Sequence, residues 1–168
     1  ITSEDGREVY QFDATGRHLR TVDTRTGAVL WIFDYDAGGR LIRVTDRDGN
    51  VTTIERNAAG EPTAIVAPFG QRTNLTVNGD GYLGRLTDPA GQMHEFNYTP
   101  DGLLTRMVTP NGQPYEFSYD ALGRLIRDAD PSGGRQDLSR TPIANGFEGI
   151  RTTGLSRATT YRVEDLPT

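Results

Sequence analysis

Apolar and polar residues alternate along most of this chain. Ile54, Leu75, Phe96, Phe117 and Leu138 each stand two residues before Arg56, Val77, Tyr98, Tyr119 and Arg140. The residues flanking them are polar: Thr53 and Glu55, Asn74 and Thr76, Glu95 and Asn97, Glu116 and Ser118, Asp137 and Ser139. A period of two predicts a strand with one apolar and one polar face. A helix would need apolar residues at i, i+3 and i+4, and these segments do not supply them. A second kind of segment alternates with the first. It carries Leu41, Leu83, Leu104 or Leu125, then Arg43, Arg85, Arg106 or Arg127 two residues on, and often a following apolar residue (Val44, Ile65, Leu86, Met107). Its apolar residues have both parities, which predicts a strand that is twisted, bulged or covered on both faces near one end.

Glycines mark the period. Gly39, Gly60, Gly81, Gly102 and Gly123 lie 21 residues apart, and so do Gly49, Gly70, Gly91, Gly112, Gly133 and Gly154. Gly16 joins the first series but precedes Gly39 by 23 residues. The two extra residues are expected in the turn around Arg25-Thr26-Gly27 and in a bulge near Val29-Leu30-Trp31. Ala144 interrupts the first series; Asn145-Gly146 is expected to stand in, with the register returning at Gly154 and Tyr161. Asp88-Pro89-Ala90-Gly91, Thr109-Pro110-Asn111-Gly112 and Asp130-Pro131-Ser132-Gly133 put Pro where a turn wants φ near −65° and Gly where φ turns positive. Asn78-Gly79 and Asn111-Gly112 read as tight-hairpin dipeptides. The predicted fold is all-β, a repetitive antiparallel meander of about 21-residue, two-strand units. Residues 1–10 read as the tail of a preceding unit, 11–140 as six units in register, and 141–168 as a degenerate last one.

Composition narrows the function classes. The net charge is −5, which argues against a nucleic-acid partner. There is no cysteine, so disulfides, thiolate metal sites and cysteine nucleophiles are excluded. No apolar run approaches the roughly 20 residues that span a bilayer as a helix, so membrane insertion is not expected. The sequence starts at Ile1 rather than Met and stops on Leu166-Pro167-Thr168, which reads as a piece of something longer, with any targeting signal outside it.

Tyr35-Asp36-Ala37-Gly38-Gly39-Arg40-Leu41-Ile42 and Tyr119-Asp120-Ala121-Leu122-Gly123-Arg124-Leu125-Ile126 match the tyrosine-aspartate (YD) repeat; Phe12 to Arg17 and Tyr98 to Gly102 match it more loosely. The copies around Gly60 and Gly81 lack both Tyr and Asp and keep only the spacing. The chain thus resembles the rearrangement-hot-spot (RHS) proteins and, more distantly, toxin-complex shell proteins and teneurins. That resemblance implies a β-ribbon spiralling into a hollow shell. It also implies flanking RHS repeats, and a C-terminal toxin or effector domain delivered by contact-dependent or type VI secretion; cell-surface adhesion is the other role it implies. A secreted or cell-surface bacterial location follows from the same resemblance. The family's self-cleaving aspartate site is not carried over: Gln92 and Gly134 stand where its Asp-Pro-x-Gly-Leu ending needs Leu.

Few residues suggest chemistry. Asp46, Asp48 and Asn50 resemble the start of a calcium loop, but Glu55 comes too early to close it, and the stretch is the expected turn. Gly79-Asp80-Gly81-Tyr82-Leu83-Gly84 fits a dinucleotide fingerprint by letter, yet strand residues follow where a helix is required. His18 and His94 sit in different units without marked partners. Glu95, Glu116 and Asp137 recur at one polar position and are expected to pair with Arg106 and Arg127 across strands. With Tyr98 and Tyr119, Glu95 and Glu116 form a candidate ligand surface for cell-surface glycans. No cofactor is expected. The reading is a non-catalytic structural segment, with a binding module as the alternative and an enzyme least supported. Raw sheet edges add self-association as a further expectation.

Overall fold

The computed structural model describes residues 1–165; the closing Leu166-Pro167-Thr168 lies outside the described residues. The described residues form fifteen β-strands and no helix. They divide into two compact units. The first holds β1 (Glu8–Phe12), β2 (His18–Asp23), β3 (Val29–Tyr35), β4 (Leu41–Asp46), β5 (Val51–Arg56), β6 (Pro62–Val66) and β7 (Arg72–Val77). The second holds β9 (Met93–Tyr98), β10 (Leu104–Val108), β11 (Pro114–Tyr119), β12 (Leu125–Ala129), β13 (Arg135–Ile143), β14 (Gly146–Thr153) and β15 (Ala158–Glu164). Strand β8 (Leu83–Thr87) is divided between them. Within each unit strand order follows chain order and neighbouring strands pair antiparallel, as the alternation predicts.

The mixed parity of the second kind of segment resolves into bulges. Gln11 faces Arg20 while Phe12 faces His18, which leaves Leu19 as the extra residue. The same one-residue step makes Ile42, Thr63, Thr105 and Ile126 the extra residues of β4, β6, β10 and β12. Each bulge lies opposite the tyrosine position of the neighbouring strand: Tyr35 with Leu41, Arg56 with Pro62, Tyr98 with Leu104, Tyr119 with Leu125. A bulge bends its strand and increases the twist, so the recurring bulges curve the sheet within each unit.

The two extra residues of the first copy fall where expected. Asp23 N–H bonds Ala28 O across one residue more than the Asp46 N–H to Asn50 O bond spans, and Leu30 is skipped between the pairs Val22–Val29 and Thr21–Trp31. The Asn-Gly dipeptides differ from expectation. The turn runs from Asn78 to Tyr82 with positive φ at Gly81, and from Thr109 to Gln113 with positive φ at Gly112. Both are three-residue loops closed by a glycine, in which the chain turns before it reaches the left-handed residue. Gly154 is a second correction. The turn there is capped at Thr153 and the left-handed residue is Ser156, φ 59°, so the 21-residue spacing of Gly154 is coincidental. Asn145 belongs to a two-residue connection between Ile143 and Gly146, and Tyr161 is an exposed mid-strand residue opposite Gly149. The residue-140 boundary falls inside β13.

The packing is thin. Ala64 is the fully buried apolar residue and Thr21 the nearly buried polar one; among the described residues no large side chain is fully buried. Accessible surface is 11588 Å² for 18.5 kDa, against about 8,200 Å² for a closed globular chain of that mass.

Candidate functional site

The YD motif has a mechanical explanation. The Tyr119 hydroxyl donates to Leu104 O at 2.8 Å, Tyr98 to Leu83 O at 2.9 Å, and Tyr35 to His18 O at 2.9 Å. Leu104 and His18 are the residues just before the bulged Thr105 and Leu19. A bulge disrupts the ladder, and a backbone carbonyl left there needs a donor. The tyrosine supplies it from the next tyrosine-bearing strand along. Arg56 occupies the tyrosine slot of a degenerate copy and does the same: its Nη2 donates to Leu41 O at 3.1 Å, just before the bulged Ile42. Burial pushes the Tyr98 phenol above its ordinary range.

The second letter of the motif caps the turn. Asp120 Oδ1 accepts from Leu122 N–H at 2.9 Å and Arg124 N–H at 3.0 Å; Asp36 Oδ1 accepts from Arg40 N–H at 2.9 Å. Asn57, Asn78 and Thr99 fill the role where Asp is missing. The other turn row uses Asp23, Asp46, Asp88, Asp130 and Thr153 alike. Most of the described turns therefore share one design, with a period of half a unit; the turn at Ala67 keeps only its backbone bonds, and the β13–β14 connection departs from the design. The bonds hold the carboxyls of Asp23, Asp36, Asp46, Asp120 and Asp130 below the usual Asp range. The Arg124 side chain is the main cause at Asp120, the Arg40 N–H at Asp36, the Asn50 amide at Asp46 and the Ser132 hydroxyl at Asp130.

A third device stitches neighbouring turns. In four places the residue after a turn glycine lies over the glycine of the next copy: at Gly39, Gly60, Gly102 and Gly123. A Cβ at Gly102 would stand 2.7 Å from the Tyr82 ring, one at Gly123 3.5 Å from Leu103, and those at Gly39 and Gly60 would meet Arg17 and Arg40. All four glycines hold φ near +80°, and Gly102 is needed a second time for the space that the Tyr82 ring takes above it.

The four residues expected to bind a ligand do not converge. On β9 the half-buried His94, Phe96 and Tyr98 share one face, and Glu95 is exposed on the other. On β11, Tyr115, Phe117 and Tyr119 share a face and Glu116 lies opposite. Strand parity therefore separates Tyr98 and Tyr119 from Glu95 and Glu116. On the polar face Arg85 bonds Glu95 at 2.8 Å and Arg127 bonds Asp137 at 2.6 Å; Arg106 stands opposite Glu116 in register. Arg43–Asp34 and Arg72–Glu55, both at 2.8 Å, belong to the same kind of row.

The other candidates are placed as follows. Asp46 spends its carboxylate on Asp48 N–H, Asn50 N–H and the Asn50 amide, while Asp48 is largely exposed. Gly81 is a turn glycine and β8 follows it, so no helix N-terminus is present to receive a pyrophosphate. His18 stacks between Phe12 and Phe33, with centroids at 5.0 and 4.4 Å. His94 Nδ1 is buried without a hydrogen-bond partner. Among the described residues no three His, Asp or Glu side chains cluster as metal ligands.

The model of the Teneurin YD-shell family matches residues 1–163. The chain belongs to that family. Human Teneurin-4 is 38% identical over 71 residues, 42% of the YD-shell chain, and Drosophila melanogaster Teneurin-m is 31% identical over 78 residues, 45% of it. The chain spans 3% of the length of either relative. Among solved structures, the Photorhabdus luminescens Tc holotoxin pore carries a similar fold (TM-score 0.54, 16% identity, 91% of this chain and 9% of that one). The TcdB2-TccC3-Cdc42 structure gives 0.55 at 15% identity, again over 91% and 9%. The resemblance drawn from the YD motifs thus holds, and the segment is shell material.

Two functional residues were not visible in the YD-shell sequence. Arg56 looked like a loss of the tyrosine, although a long donor in that slot was the available signal. Thr99 looked like a lost aspartate, although its hydroxyl caps the same turn.

Proposed function

We propose that this YD-shell segment is a stretch of wall in a larger, non-catalytic shell that encloses a C-terminal toxin or effector domain outside the producing cell. Its own work is mechanical. The observation that carries this reading is the recurrence of one curvature device: bulges on alternate strands, with a hydroxyl or guanidinium tied to the carbonyl beside those of β2, β4 and β10. A chain built this way invests its conserved-looking chemistry in a bend and a turn, and leaves its large apolar side chains for neighbours to cover. Flanking repeats of the same design satisfy the open edges by strand pairing, and successive turns of the wall packed face to face supply the cover for its apolar side chains. Secretion, including a type VI route, is consistent with a wall that must shield its cargo until delivery.

The test uses a longer protein in which this segment precedes a non-repeat domain. Limited proteolysis should spare that domain while the wall is intact and cleave it once Tyr98→Phe and Tyr119→Phe loosen the bend. Equal cleavage with and without an intact wall would overturn encapsulation. Hydrolytic activity retained by the wall after the downstream domain is removed would overturn the non-catalytic reading.

A further inference from the structure

One row on the aromatic face changes character. In three places the row across adjacent strands is apolar followed by a single hydroxyl-bearing residue: Phe33–Val44–Thr52, Ile54–Ile65–Thr73 and Phe96–Met107–Tyr115. The fourth row runs Phe117–Asp128–Gln136–Thr153 over β11 to β14. A carboxylate thus stands where the other rows have Val, Ile or Met. Asp128 is half-buried beside the Phe117 ring and has no hydrogen-bond or ion-pair partner among the described residues. The adjacent Arg127 bonds Asp137 at 2.6 Å on the opposite face, and Arg135 points its Nε at the same carboxylate (3.0 Å). Placing a carboxylate on an apolar face without a partner opposes folding. It is accounted for if something outside the chain meets it.

The same row lines a concavity of about 660 Å³ with Tyr115 as a second ring and Leu155 as its far wall. That wall also breaks the repeat. Leu155 is 79% exposed and sits in the one turn among the described residues whose left-handed residue is not glycine but Ser156. Strain at a non-glycine residue in that region marks places worth reading for function. Asp128 and Leu155 both depart from the repeat and line the same concavity, and Ser156 follows Leu155 in its turn.

We propose that this concavity binds a saccharide, with a pyranose ring laid on Phe117 and Tyr115 and its hydroxyls meeting Asp128, Gln136 and Thr153. The chemistry matches group by group. A sugar has a C–H face that packs on an aromatic ring and an edge of hydroxyls that are both donors and acceptors. An unpaired carboxylate takes two such donors in strong, charge-assisted bonds. The Gln136 amide and the Thr153 hydroxyl each donate and accept. Thr153 Oγ accepts from Arg157 N–H at 3.3 Å, which leaves its own proton free to donate. An organic cation would use the rings and the carboxylate but leave Gln136 and Thr153 idle. Four strands at about 4.8 Å spacing make the row roughly 14 Å long, enough for two sugar rings.

The test is saturation-transfer NMR on the whole chain with the methyl glycosides of glucose, galactose, mannose and N-acetylglucosamine, and tetramethylammonium as the cationic comparison. At least one glycoside should bind at millimolar concentration. Asp128→Val restores the apolar row, so it should melt no lower than the parent while binding that glycoside at least tenfold more weakly. Gln136→Ala, at an exposed position, should weaken binding about threefold, and Glu95→Gln, on the other face, should not alter it. Absence of transfer to all four glycosides, binding unchanged in Asp128→Val, or binding of tetramethylammonium alone would overturn the proposal.

Discussion

Strands β9 to β12 and strands β13 to β15 lie side by side in one unit and are built on different rules. In the first group strands are five or six residues long, β10 and β12 each carry a bulge, and the Tyr119 hydroxyl is tied beside the one on β10. In the second, strands run to seven, eight and nine residues, and the register from Gln136–Thr153 to Ile143–Gly146 has no step. The glycines seem to continue the period across the junction, but their geometry does not. The difference teaches that the repeat is defined by where the backbone is capped and bulged. A glycine at the right number is a consequence of that pattern and can also arise by chance, as Gly154 does.

Substitutions that separate the two rules should differ in size. Gly146→Ala should have the largest effect, about 3 kcal/mol or more: φ is 139°, and a Cβ would run into the Val163 carbonyl, breaking the β14–β15 pairing. Gly112→Ala, a repeat turn with φ 75° and open space above it, should cost only the left-handed strain, about 1–2 kcal/mol. Chemical denaturation of both variants measures the contrast, and equal losses would show that the two regions are not built differently. Next is Tyr119→Phe, which strands the Leu104 carbonyl at a half-buried bulge and should cost about 1 kcal/mol in the same assay. An unchanged midpoint would mean that the tyrosine contributes only its ring.

The sequence made the strands, the turn rows and the 21-residue period legible, because alternation and turn glycine are local signals. It also made the bulged strands half-legible: Leu125, Ile126 and Arg127 could not all keep one parity, but which residue was extra required the partner strand. The tyrosine's bond was not legible, since its acceptor lies 15 residues upstream and becomes available through a bulge that must first be known. The candidate site was least legible. Tyr98 and Glu95 are near in sequence, and three positions of offset put them on opposite faces. The row at Asp128 crosses four strands, and no sequence spacing announces it.

Two smaller effects sharpen the comparison. Ser156→Gly should stabilise the long-stranded region by about 0.5–1 kcal/mol, since it removes a non-glycine residue from φ 59°; a lowered midpoint would assign Ser156 a contact worth more than its strain. The last is pH dependence. Asp36, Asp46, Asp120 and Asp130 have folded-state values below the ordinary one, so their stabilisation is complete above about 3.9 and is lost as pH falls through the lower folded values. The bulged region, richer in Asp caps, should loosen first in acid. Amide exchange at pH 3 and pH 6 tests this, and earlier loosening of β14 and β15 would contradict it.

The overlap at the turn row gives the ribbon a direction. Arg17 covers Gly39, Arg40 covers Gly60, Tyr82 covers Gly102 and Leu103 covers Gly123, always from the earlier copy onto the later, as slates overlap on a roof. Each slate reaches one course and no further. A copy gained or lost by recombination therefore brings or removes its own overlap, and the courses on either side meet without redesign. A gene assembled this way can lengthen or shorten its product in whole courses and still yield a sound roof.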